Sequence, residues 1–275
     1  MLLQRVITGL LGGTFLLYSL YVGSWLYFAL ILLLAIIGWS EYKKALARLE
    51  LSIPLVLGAV LLGMELFALW LEFYTVAFTL LFIAPMICLM SSILSFPKRT
   101  IKDAFFMIGG FYYLACGFGS LLMLRHITLA SAMERGFSVE SIHVCFFAVF
   151  AFFCTWASDT FAYFAGKAMG KQKLCPQISP GKTVEGFIGG VAGTIITALI
   201  AAYLFNFPLL HGAGMGLLIA FVAPLGDLAE SLLKRACGLK DSGAILPGHG
   251  GVLDRFDSIL FVAPAIMAYL ILLSR

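Results

Sequence analysis

Charge is scarce in this chain, and the patterns that would make a soluble protein of it are missing. Asp, Glu, Lys and Arg supply 12% of its 275 residues and hydrophobic residues 62%, against roughly 25% and 45–50% in soluble domains. So few polar groups could not cover the surface of a water-soluble fold. The six cysteines, Cys88, Cys116, Cys145, Cys154, Cys175 and Cys237, include no CxxC pair and no paired Cys/His spacing, which excludes a zinc site and gives no sign of a disulfide framework. No extended basic tail accompanies the net charge of +4, so nucleic acid is not an expected partner. No repeat, low-complexity stretch or long linker divides the chain. No small-residue cleavage site follows the first apolar run, which is therefore expected to stay as a helix.

What is present is a series of apolar runs of the length that crosses a bilayer as helix, about 20 residues. They predict an all-α, polytopic integral membrane protein with about nine transmembrane helices, near residues 6–22, 25–40, 51–71, 74–95, 104–124, 143–165, 184–205, 209–231 and 256–274. The second run continues into "SEYKKALARLE", read as an interfacial extension of the same helix. Basic residues favour the cytoplasmic side of a membrane. With nine spans, all but Arg125, Arg135 and Arg275 of the 18 Lys and Arg residues fall on the side of the N-terminus. The N-terminus is thus expected inside and the C-terminus outside.

The two parts of the chain differ in chemistry. Five of the six aspartates, Asp159, Asp227, Asp241, Asp254 and Asp257, lie beyond residue 150, and aspartate in or beside a span is costly unless a site or a partner uses it. Residues 1–140 read as a scaffold of transmembrane helices and 141–275 as the catalytic region with cytoplasm-facing polar loops. Glu65, alone in the third run, reads as a helix-packing or lipid-edge residue.

Three polar stretches carry candidate chemistry. In "ASDTFAYFAGKAMG", Asp159 sits inside an apolar run, either as a site residue or hydrogen-bonded to Thr155 or Tyr163. In "ISPGKTVEG", Ser179 fits a helix N-cap and Pro180 the first helical position; simple capping explains these two, while Lys182 and Glu185 beside free N–H groups point to an anion site. In the third stretch, "PLGDLAES" followed by "LLKRACGLKDSGAILPGHGGVLDRFDS", Asp227, Ser231 and Lys234 share a helical face. Asp254 and Asp257, three apart at the expected start of the last span, share another. Carboxylates so placed could hold Mg²⁺, since hard oxygen ligands without sulfur favour it, or could pair with Lys234, Arg235 and Arg255. The glycines would let the backbone approach phosphate oxygens, with Lys234, Arg235 and Lys240 neutralising them. His249 fits a structural hydrogen bond, a phosphate contact or a proton shuttle.

These residues resemble the signature of the phosphatidate cytidylyltransferases, also called CDP-diacylglycerol synthases. The residues that carry the resemblance are Ser231, Lys234, Arg235, Lys240, Asp241, Gly243, Pro247, His249, Gly250, Gly251, Asp254, Arg255 and Asp257, and the signature's pattern, S-x-x-K-R, four residues, K-D, then P-x-H-G-G-x-x-D-R-x-D, is filled at every defining position. The "SDTFAYFAGKAMGK" and "SPGKTVEG" stretches are similar to further segments of that family. The resemblance implies transfer of CMP from CTP to phosphatidic acid at the cytoplasmic face of a bacterial-type inner (plasma) membrane, with Mg²⁺ as cofactor and pyrophosphate as co-product. The expected roles are metal binding by Asp227, Asp254 and Asp257, which with Lys234 form the catalytic set. Ser179, Lys182, Ser231, Arg235, Lys240, Asp241, His249, Gly250, Gly251, Arg255 and Asp159 are expected on the substrates. A homodimer is implied as well, and the sequence leaves open whether a second, different cation joins the magnesium. Two other classes fit the sequence less well. The CDP-alcohol phosphotransferase string D-x-x-D-G is missing, and a transporter's matched halves and ionisable groups spread through the membrane depth are missing too.

Overall fold

A computed structural model describes residues 2–126, 145–245 and 250–273. In chain order the elements are α1 (Leu2–Val22), α2 (Ser24–Ala47), α3 (Leu55–Trp70), α4 (Tyr74–Leu94), α5 (Ile101–His126), α6 (Phe146–Met169), β1 (Lys173–Cys175), β2 (Ser179–Thr183), α7 (Val184–Leu204), α8 (Leu209–Ala236), α9 (Leu253–Phe256) and α10 (Ile259–Leu273). Among the described residues six helices are long and apolar enough to cross a membrane, namely α2, α4, α5, α6, α7 and α8; the apolar stretches Ile7–Val22, Leu55–Trp70 and Ile259–Leu273 are shorter. Large apolar side chains such as Phe78, Phe82, Met86 and Ile93 on α4 are exposed, as lipid-facing positions of a multi-pass membrane protein are.

The chain forms two units, one of residues 1–123 with 233–256 and one of 124–232 with 257–275. In the first, α2 is the hub. Its buried residues Tyr27, Ile31, Ala35, Trp39, Tyr42 and Leu46 recur at three- and four-residue spacing, one helical face. The aromatic donors on that face are all satisfied by backbone carbonyls: Tyr27 Oη donates to Leu121 O at 3.2 Å, Trp39 Nε1 to Leu55 O at 3.0 Å and Tyr42 Oη to Phe106 O at 2.9 Å. Buried N–H and O–H groups without a partner are costly in a medium that offers no water. Gly58 lies directly beneath the Trp39 ring and Gly110 beneath Tyr42, so neither position has room for a side chain. Glu65 of α3 is buried, with only 2% of its surface accessible, which places it in helix packing and not at a lipid edge.

In the second unit α6 and α7 lie against each other along a seam of glycines. A Cβ on Gly186 would meet Ala162 O at 2.8 Å, one on Gly190 would meet Ser158 O and Ala162 Cβ at 3.1 Å, and one on Gly193 would enter the Phe161 side chain. Small residues at three- and four-residue spacing let helix backbones approach where lipid supplies no hydrophobic drive. On α8, Gly226 gives the same close approach to the start of the last helix, where its added Cβ would lie 2.6 Å from Asp257 O.

Three expectations meet a different local structure. The segment at Ser179 is strand β2, paired antiparallel with β1 in the register Lys173↔Thr183 and Cys175↔Ser179, a small hairpin in an otherwise helical chain. Pro180 is tolerated there because a two-stranded sheet is all edge. The last helix begins at Ile259, after a turn at Asp257 and Ser258, so Asp254 and Asp257 do not share one continuous helical face. The Asp257 carboxylate accepts the Ser258 N–H at 2.6 Å, and a side chain that takes a backbone donor competes with the helical ladder. Finally, α2 continues to Ala47, but Glu41 and Tyr42 within it are buried, so this part of the expected interfacial stretch is protein core. The stretch between the expected spans 104–124 and 143–165 lies, from residue 127 onward, outside the described residues.

The glycine seam makes a direct prediction. Gly190→Leu is expected to destabilise the protein by about 1–3 kcal/mol through overpacking, read as a lowered unfolding midpoint in detergent. Gly109→Ala, where nothing lies within 4 Å of the added carbon, is expected to hold or raise the midpoint, since glycine in a helix interior is unfavourable by roughly 0.5–1 kcal/mol relative to alanine.

Candidate active site

The second unit contains a cavity of about 520 Å³ between the C-terminal half of α6, the hairpin, the start of α7 and α8. Its wall includes Ser158, Asp159 and Lys167 from α6, Ser179 and Lys182 from β2, and Asp227 from α8. Lys182 Nζ lies 2.8 Å from Asp227 Oδ2, and both side chains keep partial exposure, 23% and 30%, so each can still meet a ligand. Ser231, one turn on, donates to Asp227 Oδ1 at 3.2 Å. Asp227 is therefore held from both sides, by a cation and by a hydroxyl.

The hairpin that brings Ser179 and Lys182 to this wall is fixed by two side chains. Thr183, not Ser179, caps α7: its Oγ1 accepts the Gly186 N–H at 3.1 Å, the ordinary N-cap bond. The signal was legible, since Thr183 stands immediately before the apolar run. Two residues on, the Glu185 carboxylate accepts the Lys171 N–H at 3.0 Å and the Gln172 N–H at 3.2 Å, which closes the start of the hairpin onto the start of α7. Asp159 lines the same cavity; Thr155, one of its two anticipated partners, donates its hydroxyl instead to Ala151 O at 2.7 Å. Lys167 lies over the Tyr163 ring, 5.7 Å from its centroid, a cation–π contact.

In the first unit a second polar group of residues surrounds Asp254. Its Oδ1 accepts from Lys234 Nζ at 2.8 Å, and its Oδ2 accepts from the Ser242 N–H, the Ser242 hydroxyl and the Gly251 N–H, each at 2.8 Å. Gly250 is required at its position by a φ of +84°, which side chains rarely adopt, and a Cβ there would also lie 2.7 Å from Asp254 Oδ2. Arg235, Lys240, Asp241 and Arg255 are exposed around this segment, with Arg235 Nη1 reaching Leu239 O at 3.4 Å. His249 lies outside the described residues. One member was not anticipated: Glu41 of α2, 1% exposed, accepts the Val252 N–H at 3.0 Å and the Leu253 N–H at 2.9 Å. The only sequence signal for it is an acid set between two aromatic residues, Trp39 and Tyr42, at the end of an apolar run.

The structure thus brings Asp159, Ser179, Lys182, Asp227 and Ser231 together in the second unit, and Lys234, Gly250, Gly251 and Asp254 together in the first. Asp257 belongs to the second unit, where Gly226 draws its backbone against the residue next to Asp227. Among the described residues no three His, Cys, Asp or Glu side chains form a metal-binding group by themselves. Magnesium asks for less, one or two carboxylates together with substrate phosphates. Asp227, a hard oxygen donor on the cavity wall, is of the kind that requirement names; both oxygens of Asp254 are taken by Lys234, Ser242 and Gly251, and the Asp257 carboxylate accepts the Ser258 N–H.

Asp254 carries a pH signature. Burial is the largest single influence and pushes its pKa up, but the donors from Lys234, Gly251 and Ser242 together outweigh it and hold the carboxyl below its ordinary value. A depressed folded pKa contributes stability above the unfolded value of about 3.9, lost as pH falls through the folded value. Asp254→Asn is expected to cost on the order of 3 kcal/mol at pH 7, the scale for breaking a buried pair, and to flatten the acid limb of a stability–pH curve measured by thermal unfolding.

Comparison with known proteins places these residues in a family context. The family model described as "Cytidylyltransferase family" matches residues 3–273. A protein of Bacillus subtilis named phosphatidate cytidylyltransferase is 32% identical over 277 residues, covering 98% of both chains, and one of Synechocystis sp. with the same name is 36% identical over 293 residues, covering 98% of this chain and 97% of its own. One of Staphylococcus aureus, again so named, is 41% identical over 187 residues, 67% of this chain and 66% of the relative's own length.

Proposed function

The chain belongs to the cytidylyltransferase family, and from that premise we propose that it catalyses the reaction for which its relatives are named, cytidylyl transfer from CTP to phosphatidic acid. The lipid phosphate oxygen attacks the α-phosphorus of CTP, the bond from that phosphorus to the bridging oxygen breaks, and pyrophosphate leaves with CDP-diacylglycerol formed. Such a transfer depends on positioning and on charge neutralisation more than on covalent help from the protein. The observation that carries the reading is the Lys182–Asp227 pair, 2.8 Å apart on the wall of a cavity that Asp159, Lys167 and Ser179 also line, in a chain of apolar helices. A phosphate on a lipid and a triphosphate from water are both ligands for such a cation.

The roles follow from the chemistry of each group. Lys182 and Ser179 grip an anionic head group, and Asp159 supports that wall. Lys234, Arg235 and Lys240 neutralise nucleotide phosphates, with Arg255 beside them. Asp254 holds Lys234 extended toward that task. Asp227 and Asp257 hold magnesium, which when bound lowers repulsion between two anionic reactants and stabilises the leaving group. Nine spans are proposed by adding the three shorter apolar helices to the six long ones, with the N-terminus and the reaction on the cytoplasmic face of the plasma membrane, and a homodimer as the working form.

The test is CDP-diacylglycerol formation in membranes holding equal amounts of wild-type protein, Asp257→Asn and Asp227→Asn. Each variant is expected to fall by about a hundredfold, the scale on which removal of one charge-stabilising group lowers turnover, and chelation of divalent cations is expected to abolish the wild-type rate. Near-normal turnover in either variant removes that residue from the set.

A further inference from the structure

The signature segment is held from outside as well as by its own Asp254 network. Ser242, Val252 and Leu253 of the segment meet on Glu41, which precedes Ser242 by 201 residues and lies in the part of the chain expected to be scaffold. Oε1 takes the Val252 N–H, and Oε2 takes the Leu253 N–H, with Ser242 Oγ 3.4 Å away. The Ser242 hydroxyl is nearer to Asp254 Oδ2, at 2.8 Å, and Asp254 in turn holds Lys234. A continuous polar path therefore runs from α2 to a cationic side chain of the signature, all within the first unit.

Two glycines have their reason in the same carboxylate. A Cβ on Gly243 would lie 2.5 Å from Glu41 Oε1 and 2.9 Å from its Cδ, and a Cβ on Gly251 would lie 2.6 Å from both atoms. Neither glycine has a positive φ, so their lack of a side chain answers to space and not to backbone conformation. A carboxylate with so little exposure persists only where donors surround it, and here the donors are the main chain of the signature.

We propose that Glu41 is a positioning residue for the reaction, fixing the spacing between Ser242 and Leu253 and through it the place of Lys234, and that Gly243 and Gly251 are small in order to admit it. This rests on the reading that the signature works on CTP. Glu41 touches no reacting atom; its effect passes through Ser242 and Asp254.

Four variants test the proposal: Glu41→Ala, Glu41→Gln, Gly243→Ala and the double variant Glu41→Ala/Gly243→Ala, assayed for CDP-diacylglycerol formation at known amounts of folded protein. Loss of folded enzyme lowers the maximal rate and leaves KM unchanged, so KM for CTP is the decisive readout. KM is expected to rise about tenfold in Glu41→Ala, the scale for losing hydrogen bonds to a charged group, and less in Glu41→Gln, which keeps one acceptor oxygen. Gly243→Ala is expected to impair the enzyme on its own and to add little in the double variant, because its clash is with the side chain already removed. An unchanged KM in Glu41→Ala, or a Gly243→Ala loss as large in that background as in the wild type, overturns the proposal. If Glu41→Ala does not fold, the same cycle is run on Glu41→Asp, whose shorter side chain also withdraws from Gly243. Amide hydrogen exchange at Val252 and Leu253 separates this idea from the reaction itself. Faster exchange in Glu41→Gln is expected even if the wild-type protein makes no CDP-diacylglycerol, and unchanged exchange sinks the Glu41 tie whatever the enzyme does.

Discussion

A carboxylate taken out of water keeps its charge only where hydrogen-bond donors or cations replace the water. In a chain with so little charge this constraint accounts for the surroundings of Glu41 and of Asp254 in the signature. Glu41 accepts two main-chain N–H groups and Asp254 accepts from Lys234, Ser242 and Gly251; nearer to water, Asp227 is held by Lys182 and Ser231 and Glu185 by the hairpin amides. Each acid is at once satisfied and structural: it organises a loop or hairpin that a span of apolar residues could not organise. The cations left beside them, Lys182 and Lys234, are thereby held in place instead of swinging on their own flexible stems.

Much of this was legible in the sequence. The long apolar helices follow from run length, because a bilayer dictates the length of what crosses it, and the residues of the signature are legible through their resemblance to a family pattern. What could not be read were contacts that depend on tertiary approach. Ser179-Pro180 suits a helix start and a strand edge equally well, and the pairing with Lys173–Cys175 decided for the strand. Asp254 and Asp257 are spaced for one helical face, yet Asp257 takes the Ser258 N–H and ends the helix between them. Glu41 carries no local signal of its distant partners, since its donors lie more than 200 residues away in sequence.

The family assignment and the geometry bear on different links of the same chain of reasoning. Relatives aligned along the whole length name the reaction, while the cavity wall and the Asp254 network give the residues physical tasks. A lipid phosphate cannot leave the membrane surface and CTP cannot enter the hydrocarbon, so the transfer needs cations held where membrane and water meet. Helices that pack through glycine, as α6 and α7 do at Gly186, Gly190 and Gly193, give a rigid wall at low cost in side-chain ordering. Through Glu41, α2 of the N-terminal helices touches the main chain of the signature directly.

The central claim is that a lipid phosphate displaces pyrophosphate from CTP. Purified protein given phosphatidic acid and CTP labelled either in the α- or in the γ-phosphate tests it most directly. The account predicts α-label in the lipid and γ-label in free pyrophosphate. Lipid carrying the γ-label, or no transfer of either label to lipid, would contradict it.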